Sequence, residues 1–132
     1  MPMNIISVLI LSLFLGKASI HQQFSHTLWI AKVAPSCIDT LKFVDSRNVY
    51  AYNCELDHTS EGRYKVLGKT LTLVIQEDAQ EQVEQWRYQF ELRNQMLVLL
   101  SSEQFLKGKW RTQKMKFDNG YFFKRITILT DH

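Results

Sequence analysis

The chain has 132 residues and only two thiols, Cys37 and Cys54. A cysteine pair can supply a nucleophile, metal ligands or a disulfide. A catalytic thiolate needs a base beside it, and a zinc shell needs four donors. The histidines, His21, His26, His58 and His132, are scattered, and no H-x-x-x-H or H-E-x-x-H spacing links them. The chain has no G-x-S-x-G elbow and no glycine loop of the phosphate-cradling type. These residues predict neither an enzyme nor a metal or cofactor protein. The remaining outlet for the two thiols is a disulfide.

Whether Cys37 and Cys54 can pair depends on the elements that carry them. The stretch Ser36–Cys54, SCIDTLKFVDSRNVYAYNC, holds two alternating runs around a polar turn. If Cys37 opposes Cys54 in an antiparallel pair, then Asp39 faces Tyr52, Leu41 faces Tyr50 and Phe43 faces Asn48. Residues 44–47 then form a four-residue connection in which Asp45 and Ser46 suit a type I turn. Opposed Cβ atoms lie about 4.5–5.5 Å apart, close to disulfide distance. The same register gathers Leu41, Phe43, Tyr50 and Tyr52 on one face. The other reading is two free, buried thiols.

A disulfide implies an oxidising compartment, and the N-terminus agrees. Asn4–Leu15 is a short apolar run, too short for a membrane span of roughly 20 residues. Gly16-Lys17-Ala18 follows as a small-x-small pattern. The expectation is a signal peptide over 1–18, cleaved after Ala18, and one mature domain over 19–132 without a membrane span. A buried helix or an uncleaved anchor is the alternative. The predicted address is secreted or periplasmic. The formal charge of +3 is mild and does not ask for a nucleic-acid partner.

The rest of the chain alternates in short runs. Leu28–Val33 reads as a first strand, Glu61–Val66 and Thr70–Ile75 as a pair joined at Gly68-Lys69. Gln85–Arg93 is large and apolar at every even position and polar at every odd one. Asn94-Gln95 then turns the chain into the apolar run Met96–Leu100. Asp78–Gln85 reads as a short helix or a mobile hairpin loop, and Gly108 as a bulge. Asn119-Gly120 predicts a hairpin and Ile126–Leu129 a last strand. Eight or nine sequential strands with short links predict an all-β, antiparallel up-and-down barrel of about eight strands.

The series Trp29, Cys37, Leu41-Lys42-Phe43, Tyr52-Asn53-Cys54, Gly62-Arg63-Tyr64, Gly68-Lys69-Thr70-Leu71 and Trp86 resembles the small secreted lipocalin-like proteins of Bacteroidetes-type bacteria. The resemblance covers about residues 27–102. It implies a small up-and-down barrel, often without a known ligand. Two features depart from the pattern. Thr27-Leu28-Trp29 lacks the glycine of the usual Gly-x-Trp, and the tail after Ser102 matches no part of it.

Inside such a barrel the candidate ligand-contacting residues are Asp39, Phe43, Tyr50, Tyr52, Tyr64, Trp86, Tyr88 and Phe90. Asp39 either orients a ligand or sits near the rim, bonded to Tyr52 or an arginine. The aromatic rings either line a pocket or fill the core. Lys107, Lys109, Arg111, Lys114, Lys116, Lys124 and Arg125 make the C-terminal region basic. They read as an electropositive face for an acidic partner, a glycan or a membrane, or as solvated edge strands. The first functional expectation is a monomeric exported carrier of a small hydrophobic molecule. The second is a protein-interaction or inhibitor module with a filled core, acting through its basic surface.

Overall fold

The computed structural model describes residues 23–79, 82–113 and 120–127. The expected signal peptide and Lys114 and Lys116 lie outside the described residues. Nine strands are described: β1 (Thr27–Ala34), β2 (Cys37–Phe43), β3 (Asn48–Asn53), β4 (His58–Leu67), β5 (Thr70–Ala79), β6 (Gln82–Arg93), β7 (Met96–Leu106), β8 (Lys109–Thr112) and β9 (Phe122–Ile126). Strands β1 to β7 pair in sequence, each antiparallel to the next. Strand β9 pairs with both β7 and β1 and closes the ring. The result is a closed, antiparallel, eight-strand up-and-down barrel, in which β8, among the described residues, pairs with β7 alone.

The eighth position of the ring is a broken strand. β8 runs beside the far half of β7, pairing Glu103 with Thr112, and β9 runs beside its near half, pairing Val98 with Phe122. Between the two breaks, Gln113 N–H bonds the Ser102 carbonyl and Leu99 N–H bonds the Tyr121 carbonyl. Asn119 of the expected Asn119-Gly120 hairpin lies outside the described residues, as does the end of the expected Ile126–Leu129 strand. The described part of the last strand begins earlier, at Phe122.

Tight turns set the registers. Asn94 and Gln95 both have positive φ (47° and 63°), as do Lys107 and Gly108 (50° and 77°). This is the φ signature of two-residue type I′ hairpins. Gly108 therefore makes a turn rather than the expected bulge. The bulge falls at Leu100 instead, where the β6–β7 register shifts between Gln89 and Phe90. It breaks the alternation of the Met96–Leu100 run, so that Leu99 and Ser102 both face the interior. The described residues of Asp78–Gln85 are strand rather than helix: Asp78 pairs with Val83 and Gln76 with Gln85, extending the β5–β6 hairpin.

The Cys37–Cys54 disulfide forms, with Cα atoms 5.4 Å apart. The hairpin it staples is displaced by one residue from the expected register. Leu41 opposes Ala51 and Phe43 opposes Val49, while Thr40 opposes Tyr52 and Lys42 opposes Tyr50. Side-chain hydrogen bonds at both ends account for the shift. Asp45 Oδ1 accepts the N–H groups of Arg47 and Asn48, each at 2.8 Å, which draws Asn48 into the turn. At the other end Asp39 Oδ1 takes the N–H of Cys54 at 2.8 Å. A one-residue slip flips a strand's faces. Val49 is therefore buried, and Tyr50 stands on the outer surface, 40% exposed.

One end of the barrel is solid. Phe24 stacks on Trp29 with centroids 5.6 Å apart and packs against Phe43 at 5.3 Å. Phe43 meets Tyr64 edge to face at 4.7 Å. The Trp29 indole N–H donates to Thr27 Oγ1 at 2.9 Å, and the Thr27 hydroxyl donates to the Phe24 carbonyl. Trp29 thus seals the base without the glycine of the usual motif.

Candidate functional site

The other end is hollow because small residues face inward there on β1, β3, β4 and β7. On β1 the inward residue after Trp29 is Ala31. On β4 the inward series from the base is Val66, Tyr64, Gly62, Ser60, and Ser60 at the cavity opposes Ala51 of β3. On β7 the series Leu97, Leu99 gives way to Ser102. The small residues cannot meet across the barrel, and they leave a cavity of about 630 Å³ that opens at the end carrying the disulfide.

The cavity floor is apolar: Leu41, Leu73, Ile75, Phe90, Leu99 and Phe123. Trp86 and Tyr88 form an aromatic wall from β6, their rings nearly parallel (9°) with centroids 6.5 Å apart. Tyr121 packs edge to face on Phe123 at 5.0 Å. Polar groups gather toward the mouth: Asp39, Tyr52, Asn53, Glu55, His58, Ser60, Ser102 and Gln113.

Asp39 is the centre of this polar group. Its Oδ1 accepts the Cys54 N–H, and its Oδ2 accepts the Tyr121 hydroxyl. Burial, followed by the bond to Asp39, pushes the Tyr121 phenol far above the ordinary tyrosine range. Tyr88 and Glu55 are close enough to push the same way. Tyr121 is therefore a neutral hydrogen-bond donor at any physiological pH. Tyr52 bonds Asp57 at 2.8 Å rather than Asp39, and that bond raises its phenol as well. Cys37, Asp39 and Cys54 place possible ligand atoms within 4.8 Å of one another. Both sulfurs are in the disulfide, so the trio offers no thiolate to an ion.

Of the eight candidate interior residues, Asp39, Tyr52, Trp86, Tyr88 and Phe90 border the cavity. Phe43 and Tyr64 face inward but belong to the packed base, where the Tyr64 hydroxyl donates to the Asp45 carbonyl. Tyr50 is outside, and Tyr52, on the same face of β3, reaches only the cavity rim, where it bonds Asp57; both corrections follow from the register shift. Sequence reasoning placed no cavity role on Tyr121 or Phe123, although their i, i+2 spacing carries the strand signal. It also passed over Phe24, which precedes the first strand.

The described basic residues of the C-terminal region fall in two groups. Lys107, Lys109 and Arg111 lie on the hairpin at the mouth, and Lys124 and Arg125 lie beside Ile30 and Trp29 nearer the base. Arg87, on the outside of β6, grips Glu103 through two bonds (3.0 and 2.8 Å) and lies 4.3 Å from the Trp110 ring centroid. Among the described residues no helix is long and apolar enough to cross a membrane.

Compared with protein families, curated proteins and solved structures, the chain matches none.

Proposed function

We propose that this protein is a non-enzymatic, exported binding protein of lipocalin-like type, which holds one small and mainly apolar molecule in the open half of its barrel. The observation that carries the reading is the cavity of about 630 Å³, floored by aliphatic and aromatic side chains with polar groups confined to one end. That volume and lining are those of small-molecule sites in general. The solid base supports the same reading, since it frees the mouth half from supplying the core. The disulfide supports maturation in an oxidising compartment, and with the apolar N-terminal run it favours secretion or the periplasm.

The alternative, a surface-acting module, needs an exposed patch and a filled barrel, and the cavity of about 630 Å³ favours the carrier over it. Native mass spectrometry of the exported protein, kept oxidised, tests the carrier reading. The expected result is a monomer with a retained small mass that is lost or weakened in Tyr88→Ala. A bare wild-type chain that also fails to take up any member of an apolar ligand panel would overturn it.

A further inference from the structure

The chain as a whole is basic, with a formal charge of +3. Its cavity is not. Among the described residues that line it, the ionisable groups besides the phenols are Asp39, Glu55 and His58, and neither a lysine nor an arginine is among them. We propose that the cavity takes an organic cation: an apolar or aromatic body carrying a protonated amine, with the ammonium against Asp39 and the body against Trp86, Tyr88 and Phe90. This inference rests on the carrier reading above and names its ligand class.

Asp39 has the geometry for this role. A carboxylate offers about four lone-pair sites. The Cys54 N–H occupies one on Oδ1 and the Tyr121 hydroxyl one on Oδ2. Those two donors fix the carboxylate's orientation and leave each oxygen an acceptor site for an N–H of the ligand. An ammonium–carboxylate hydrogen bond is charge-assisted, and it strengthens where the cavity excludes water. The aromatic wall acts in the same direction, because ring faces attract cations, and tryptophan and tyrosine do so best. A carboxylate-headed ligand would instead face Asp39 with like charge, a cost that selects against it.

The test is a head-group series on the oxidised wild-type protein at pH 7: decylamine, decanol and decanoic acid, each followed by isothermal titration calorimetry below its micelle concentration. The expected order is amine, then alcohol, then acid, with the amine about tenfold or more tighter than the acid. Asp39→Asn is expected to bring the amine down to the level of the alcohol and to leave the alcohol unchanged. Should that variant fail to fold, salt serves in its place: added salt should weaken the amine and not the alcohol. Decanoic acid binding as tightly as decylamine would overturn the cation assignment and leave the carrier reading standing. If none of the three binds a protein shown to be folded by circular dichroism, the cation assignment falls, and the carrier reading is decided by the native mass spectrum and the wider ligand panel. Amine affinity that survives in a folded Asp39→Asn variant would remove Asp39 from the site.

Discussion

Asp39 accepts the backbone N–H of Cys54 at 2.8 Å, so the carboxylate at the cavity mouth is held by a residue whose sulfur closes the disulfide. The bridge therefore has two effects. It closes a loop of sequence separation 17, and it aligns the donor that orients Asp39. Replacing both cysteines, Cys37→Ser with Cys54→Ser, should cost about 3 kcal/mol by loop-closure entropy. Urea denaturation of the wild-type and double-serine proteins measures it. Equal midpoints would mean that the hairpin is held by its hydrogen bonds alone.

The base and the outer wall should respond oppositely to truncation. Trp29→Ala removes the ring that stacks on Phe24 and leaves the Thr27 hydroxyl without its indole donor. A loss of about 3–5 kcal/mol is expected, typical of a buried large aromatic. Tyr50→Ala, on the outer face, should change stability by no more than about 0.5 kcal/mol. Thermal denaturation of the two variants checks the observed register directly, because the expected register, with Tyr50 inside, would have made its truncation costly as well.

The barrel was readable from the sequence because its signals are local. The even–odd pattern from Gln85 to Arg93 and the turns at 68–69 and 94–95 each need only a few neighbouring residues. The β2–β3 register was not readable, because two aspartate side chains set it. The cysteine pair and the tyrosines both favoured placing Tyr50 and Tyr52 inside. Asp39 and Asp45 override that preference by capturing backbone N–H groups at the two ends of the hairpin. Tyr121 as partner of Asp39 lies 82 positions along the chain, so the contact exists only after the ring has closed. The cavity itself had a readable cause in the small inward residues Ala51, Ser60 and Ser102, which cannot meet across the barrel.

Gly62 is held to glycine by crowding. A Cβ at this position would sit 2.9 Å from the Val74 carbonyl oxygen and 3.1 Å from a Leu73 methyl. The methyl could move, but the carbonyl belongs to the neighbouring strand and cannot move without disturbing the ladder. Gly62→Ala should therefore destabilise by about 1–3 kcal/mol, as overpacked cores do. Chemical denaturation measures the loss, and an unchanged midpoint would show that β4 and β5 lie further apart than described.

Tyr121 gives the fold an alkaline limit. Its phenol stays protonated in the folded protein well above the ordinary value near 10.0, first because of burial and then because of Asp39. The unfolded chain ionises at that ordinary value. The stabilisation is thus fully present below pH 10 and is lost as pH rises above it, by about 1.4 kcal/mol per pH unit. Tyr121→Phe should be less stable than wild type near neutrality, having lost the bond to Asp39, and should decline less steeply above pH 10. Denaturation midpoints measured from pH 8 to pH 11 compare the two slopes. Parallel slopes would place the phenol in water.

The hollow half of the barrel allows a substitution that separates binding from folding. Ala51 faces Ser60 across the β3–β4 pair and borders the cavity, where larger inward residues would close it. Ala51→Leu adds apolar volume to empty space rather than to packed atoms, so the usual overpacking cost does not arise. Stability should hold within about 1 kcal/mol or rise slightly, since the added methyl groups leave water for an apolar wall. Any molecule held between Ser60 and Trp86 would lose room, and its affinity should fall by about tenfold or more. Paired measurements of denaturation midpoint and ligand affinity decide the matter. A variant that keeps both its stability and its ligand would show that the bound molecule sits outside the barrel. One that loses stability would show that β3 and β4 leave no space at Ala51.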